Sequence, residues 1–233
     1  MNNSHIKSCQ QSGFSLVELC IALTVTLVIM VIASTLLAAS FKVRGRENQR
    51  SSAIADAQRA LNLMSREIAN AAYGLSTNGI VTGGDSGATS IRVRSDLDLS
   101  GATNASTGLA EDVKYLFVND ANGSFIVRMN LQPSQTTSII ANRIDGLAIY
   151  YYDERVTYTI GNCAAGTCNI SNVRNAAGTT ELEVTPDNAK YIVISLRVTL
   201  PAVGTVGSPG YQPPSATQLV STVTLRNANL QNY

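Results

Sequence analysis

Residues 19–41 read LCIALTVTLVIMVIASTLLAASF, 23 residues with no charge and no proline. A helix rises about 1.5 Å per residue and a hydrocarbon core is about 30 Å thick, so this run is long enough to span a bilayer. A buried core helix of this length is seldom apolar on every side. The run therefore predicts a membrane-embedded helix. A cleaved secretory signal is the rival, with Ala38, Ala39 and Ser40 as the cleavage site. It fits poorly, because the apolar core of such signals spans only about 7–15 residues and Lys7 is the sole lysine or arginine ahead of the run. Neither Cys9 nor Cys20 follows the small, apolar residues of a lipoprotein signal.

One carboxylate, Glu18, stands at the edge of the run, four residues after Phe14. A charge near a membrane helix is costly unless it reaches the interface or meets a partner. Either reading is open from the physics of this residue alone.

Composition narrows the function classes. The chain has 233 residues and a formal net charge of +1, with no basic excess pointing to nucleic acid. The single histidine, His5, lies ahead of the apolar run. A Ser-His-Asp or Cys-His nucleophile and most zinc sites are therefore not expected downstream. Asp153 and Glu154 read as a solvated turn rather than an acid/base pair. Gly83-Gly84 lacks the Lys-Ser/Thr of a phosphate loop.

Gly13-Phe14-Ser15-Leu16-Val17-Glu18 followed by about twenty apolar residues resembles the prepilin signature, which opens type IV pilins and type II secretion pseudopilins. The resemblance implies cleavage after Gly13 by a prepilin peptidase, N-methylation of Phe14 and retention of the apolar helix. It also implies that Glu18 meets the methylated amine of a neighbouring subunit. A buried charge that is costly alone then specifies register when paired. Loss of residues 1–13 removes one base, Lys7, and no acid, so the mature chain carries equal numbers of acidic and basic side chains. Lys42, Arg44 and Arg46 outnumber Lys7, so a simple positive-inside count would place the N-terminus outside. The family places it in the cytoplasm, with the following domain in the periplasm of a bacterial inner membrane.

Beyond the run, Ile54, Ala57, Leu61, Met64, Ile68 and Ala71 recur at spacings of three and four, the apolar face of an amphipathic helix. Arg50, Asp56, Arg59 and Glu67 lie mostly off that face. One helix from Phe14 to about Tyr73 is expected, interrupted only by Gly45 and ended near Gly74. The expected organisation is a leader over 1–13, a membrane or filament-core helix over 14–41, an amphipathic continuation over 42–73 and a β-rich head over 74–233.

Strand signals in the head fall at Ile91-Arg92-Val93, Val113–Val118 and Ser124–Leu131, the last two joined as a hairpin through Asn122-Gly123. GLAIYYYD at 146–153 and RVTYTI at 155–160 read as another close pair. In KYIVISLRVTL, Ile192, Ile194, Leu196, Val198 and Leu200 alternate with Tyr191, Val193, Ser195, Arg197 and Thr199, a half-buried strand. LVSTVTLRN at 219–227 follows a Pro/Gly loop. The tyrosines at 150–152 are expected to pack on alternate faces of a strand. The fold class is α+β, an antiparallel sheet packed on the long helix, as in the pilin fold. The segments RIDGLAIYYYD and TVTLRN are similar to those of PilW-like minor pilins and J-type minor pseudopilins.

Cys163 and Cys168 bracket AAGT in the part the resemblance places outside the cytoplasm. A disulfide closing this short loop is the favoured reading. Two free thiols or half of a metal site are the alternatives. Cys20 reads as an apolar filler in the membrane helix. The function expected is a non-enzymatic subunit of a type IV pilus, without cofactor or metal, or a minor pseudopilin of a type II secretion system. Its partners would be other pilin-type subunits, the prepilin peptidase and the inner-membrane assembly machinery, with no nucleic acid. A membrane-anchored periplasmic binding module is the rival of another class.

Overall fold

The structure, a computed structural model, describes residues 15–101, 103, 110–121, 123–132, 135–161, 169–208 and 210–228. Among these residues a single helix, α1, runs Leu16–Ala69 and is followed by nine strands and one short 3-10 turn. The chain divides into two units. One holds the chain through Arg46 together with Val203–Gln212, and the other holds Glu47–Ala202 with the chain from Pro213 onward.

In the first unit the Leu19 amide donates to the Ser15 carbonyl at 3.1 Å, opening the helix. Glu18 sits in its first turn, where the N-terminal end of the peptide dipole favours an acid. The apolar side chains stand exposed all round, from Leu16 through Ile21, Leu27 and Ile32 to Phe41. The hydroxyls of Thr24, Thr26, Ser34 and Thr35 donate to carbonyls three or four residues back, at 2.6–2.9 Å, so they need no water. The Pro/Gly segment forms a loop pinned by a bridge between Val203 and Gln212. Gly210, at φ +79°, lies so close to Ala39 that a Cβ there would stand 3.2 Å from the Ala39 Cα.

The second unit is α+β. The strands β1 (Ser90–Arg94), β2 (Asp112–Asp120), β3 (Gly123–Asn130) and β4 (Thr136–Asn142) form an antiparallel sheet in sequence order. A second sheet has the order β5 (Gly146–Tyr152), β8 (Tyr191–Leu200), β9 (Ser215–Thr224). The strands β6 (Thr157–Ile160) and β7 (Ile170–Arg174) pair separately. The single expected sheet is thus three sheets.

The expected apolar face of the helix is the core face. Ala57, Met64 and Ile68 are fully buried and join Ile91, Tyr115 and Ile126 of the first sheet and Ile149, Ile192 and Ile194 of the second in one cluster. Small residues at 53, 57 and 60 let the helix approach both sheets closely. Arg50 and Arg59 are exposed, off that face. The helix stops at Ala69, four residues before the expected end. Ala72 at φ +69° and Gly74 at φ +72° turn the chain away. The Asn227 side-chain amide covers the Ala71 carbonyl at 3.1 Å, and the Arg226 amide takes that of Ala69.

Two strand expectations are corrected. β5 does not pair with β6 but with β8, from Gly146↔Arg197 to Tyr152↔Tyr191. Every residue of β5 is partly or wholly buried, so its neighbour must be covered on both faces, whereas β6 is largely exposed. β8 is not half-buried either. A second cluster of Tyr152, Val156, Ile170, Tyr191 and Val193 covers its other face. The expected alternation of the tyrosines holds: Tyr151 enters the main core, and Tyr150 and Tyr152 face the second cluster.

Candidate functional sites: an uncovered helix and a carboxylate cluster

The residues expected to carry processing, Gly13 and Phe14, and the cysteines Cys163 and Cys168 lie outside the described residues, as does Asn122 of the hairpin turn. Glu18 is exposed in the first turn of α1. Cys20 is exposed two residues later. An 18-residue window of this helix has a mean hydropathy of 2.7 and is 0% buried, so the helix is long and apolar enough to cross a membrane. A helix whose apolar window is exposed all round among the described residues is suited to lipid or to packing against other helices.

Among the described residues of the second unit, three acids on the sheet side, Glu67, Asp112 and Asp85, are paired with bases, apart from the surface pair of Asp56 and Arg59. Arg128 grips both oxygens of Glu67, with Nη2 at 2.9 Å from Oε1 and Nε at 3.0 Å from Oε2. The Tyr115 hydroxyl also donates to Glu67 Oε2. Burial, then the Glu67 charge, pushes the Tyr115 phenol far above its usual range. Burial opposes the charged form of Arg128, but the Glu67 carboxylate still holds the guanidinium above its ordinary value. Asp112 accepts a two-point contact from Arg92 at 2.7 Å and a third bond from Arg94 at 2.9 Å. Asp85 accepts from Lys114 and Arg92, both at 2.7 Å, and these bonds hold its carboxyl below the usual range.

A fourth group has no such balance. Asp96, Asp98 and Glu111 each present an oxygen within 4.8 Å of the others. Asp96 is 2% exposed and Glu111 1%. The frame comes from the backbone after α1: the Asp96 amide donates to the Tyr73 carbonyl at 2.7 Å and the Ser95 amide to the Glu111 carbonyl at 2.9 Å. Asp96 accepts from the amides of Ser100 and Gly101, and Asp98 accepts from that of Ser100. Glu111 Oε1 accepts from the amides of Leu97 and Asp98, while its buried Oε2 has no hydrogen-bond partner among the described residues.

Sequence reasoning missed this cluster because it weighed metal sites on imidazole and thiolate donors. A signal was present. Asp96-Leu97-Asp98-Leu99-Ser100-Gly101 has the acid spacing and glycine with which calcium loops of the EF-hand type begin.

Compared with protein-family models, with curated proteins and with solved structures, the chain has no match.

Proposed function

We propose that the chain is a minor pilin-type structural subunit. It is processed after Gly13, methylated at Phe14, held in the inner membrane by α1 and assembled through that helix into a type IV pilus, or primes or caps it. One observation carries the reading. The Gly13-Phe14-Ser15-Leu16-Val17-Glu18 signature leads directly into a helix whose apolar window is 0% buried among the described residues. Glu18, exposed in the first turn, is free to meet the amine of a neighbouring Phe14. In lipid that carboxylate is costly alone, and a partner charge offsets the cost and sets the axial register.

The test is the N-terminal mass of the chain from cells with and without prepilin peptidase. A chain starting at methylated Phe14 only in the presence of the enzyme is expected. Glu18→Ala should then leave processing intact and abolish incorporation into filaments. An intact Met1 terminus in both strains, or a start at Phe41, sinks the reading in favour of an anchored periplasmic module. A type II secretion pseudopilin shares the same signature. In a deletion strain, loss of pili with secretion intact supports the pilus assignment, and the reverse supports the secretion system.

A further inference from the structure

We propose that Asp96, Asp98 and Glu111 form a calcium site that ties the two ends of the β1–β2 connection together. The inference is independent of the assembly reading. Three carboxylates crowd within 4.8 Å, two of them almost wholly buried. Like charges at that spacing, away from water, repel strongly. Three other acids of this unit are answered with bases: Asp112 with Arg92 and Arg94, Asp85 with Lys114 and Arg92, Glu67 with Arg128. Among the described residues no basic side chain pairs with any member of the trio. The Oε2 of Glu111, a member of this cluster, is buried without a hydrogen-bond partner among the described residues, and buried carboxylate oxygens are ordinarily satisfied. A bound cation would answer both the repulsion and the orphaned oxygen.

The donors choose the ion. All are hard oxygens, with no imidazole or thiolate, which favours calcium or magnesium over zinc or copper. Calcium accepts about 6–8 oxygen ligands in flexible geometry, so carbonyls and water can complete a shell begun by three carboxylates. The acids at the first and third positions, the serine at the fifth and the glycine at the sixth match the opening of a calcium loop. Gly101 takes φ +80°, the conformation that glycine supplies at such a turn. The closing acid here comes after a longer stretch, and among the described residues no helices flank the loop. Its frame is instead set by the Asp96–Tyr73 and Ser95–Glu111 backbone bonds.

The full chain in detergent micelles, stripped with EDTA, would be titrated with CaCl2 by calorimetry and melted with and without the ion. One binding site is expected, with a melting point about 5 °C higher in millimolar calcium and a clearly smaller shift in magnesium. Asp98→Asn should weaken binding at least tenfold. Glu111→Gln should abolish the calcium response and, in EDTA, melt no lower than the parent, because it removes a buried unpaired charge. An ordinary structural role for Glu111 predicts the opposite. If Glu111→Gln does not fold, Asp98→Asn, at a half-buried position, carries the test. The proposal is overturned by absence of heat and of any melting shift up to about 10 mM CaCl2. Equal binding by Asp98→Asn, or an equal response to magnesium, overturns it as well.

Discussion

Glu67 shows how one polar residue beside the core-facing stripe of a helix can organise a sheet. It lies on α1, yet both its oxygens are taken by Arg128 of β3 and one also by Tyr115 of β2. Its side chain is 24% exposed and that of Arg128 18%, so solvent screens the pair only in part. Glu67→Gln keeps the shape and the bond from Tyr115 but leaves the guanidinium without its counter-charge. A loss of about 2 kcal/mol is expected, read as a lower denaturation midpoint at unchanged m-value. Arg59→Ala is the contrast. Its partner Asp56 is one helical turn away and its own side chain is 74% exposed, so a change below about 0.5 kcal/mol is expected. Equal losses from the two variants would show that the Glu67 network contributes nothing beyond a surface pair. At this scale the sequence was partly legible: Glu67 was visible as an acid off the apolar stripe, but its partners lie 48 and 61 residues away and no local pattern announces them.

At the scale of elements, the junction between α1 and the first sheet turns on one glycine. Gly79 takes φ +74°, and a Cβ there would lie 2.2 Å from the Ala72 nitrogen and 2.5 Å from the Arg94 carbonyl oxygen. Those atoms are the two partners of the bond that closes the junction, Ala72 amide to Arg94 carbonyl at 3.0 Å. Gly79→Ala must push the strand end from the helix terminus, and a cost of about 3 kcal/mol is expected in chemical denaturation. Gly83 takes a similar φ of +78° with nothing within 4 Å, so Gly83→Ala should cost only about 1 kcal/mol. A Gly79→Ala chain as stable as Gly83→Ala would remove the close approach as the cause. Strands with clear alternation, β1, β2, β3, β8 and β9, were readable from sequence. β4 was not, because it is a sheet edge whose first four residues are exposed, leaving no buried periodicity to detect. The pairing of β5 was misread because sequence nearness favours a hairpin, while burial of both faces demands a covered partner.

For the whole molecule, the governing fact is an apolar helix window that is 0% buried among the described residues. Leu16, Met30, Leu36 and Phe41 are each more than 60% exposed, an apolar area that water does not tolerate as a free surface. Membranes carrying the chain should retain it through washes with high salt and alkaline carbonate and release it to detergent. Release by carbonate alone would show that the helix does not span the bilayer.

What the sequence determined by itself is whatever depends on near neighbours: the unbroken apolar run, the spacing of Ile54, Ala57, Leu61, Met64 and Ile68, and the alternation in β8. These are properties of period and length, and a helix or strand must respect them before any tertiary contact exists. The tertiary structure alone decided what depends on distant meetings. It made β8 a strand covered on both faces, joined Glu67 to Arg128 and Tyr115, and brought Glu111 back to Asp96 and Asp98. The physical reason is that burial and charge balance are set by what the rest of the chain packs against a residue, and no local pattern carries that information.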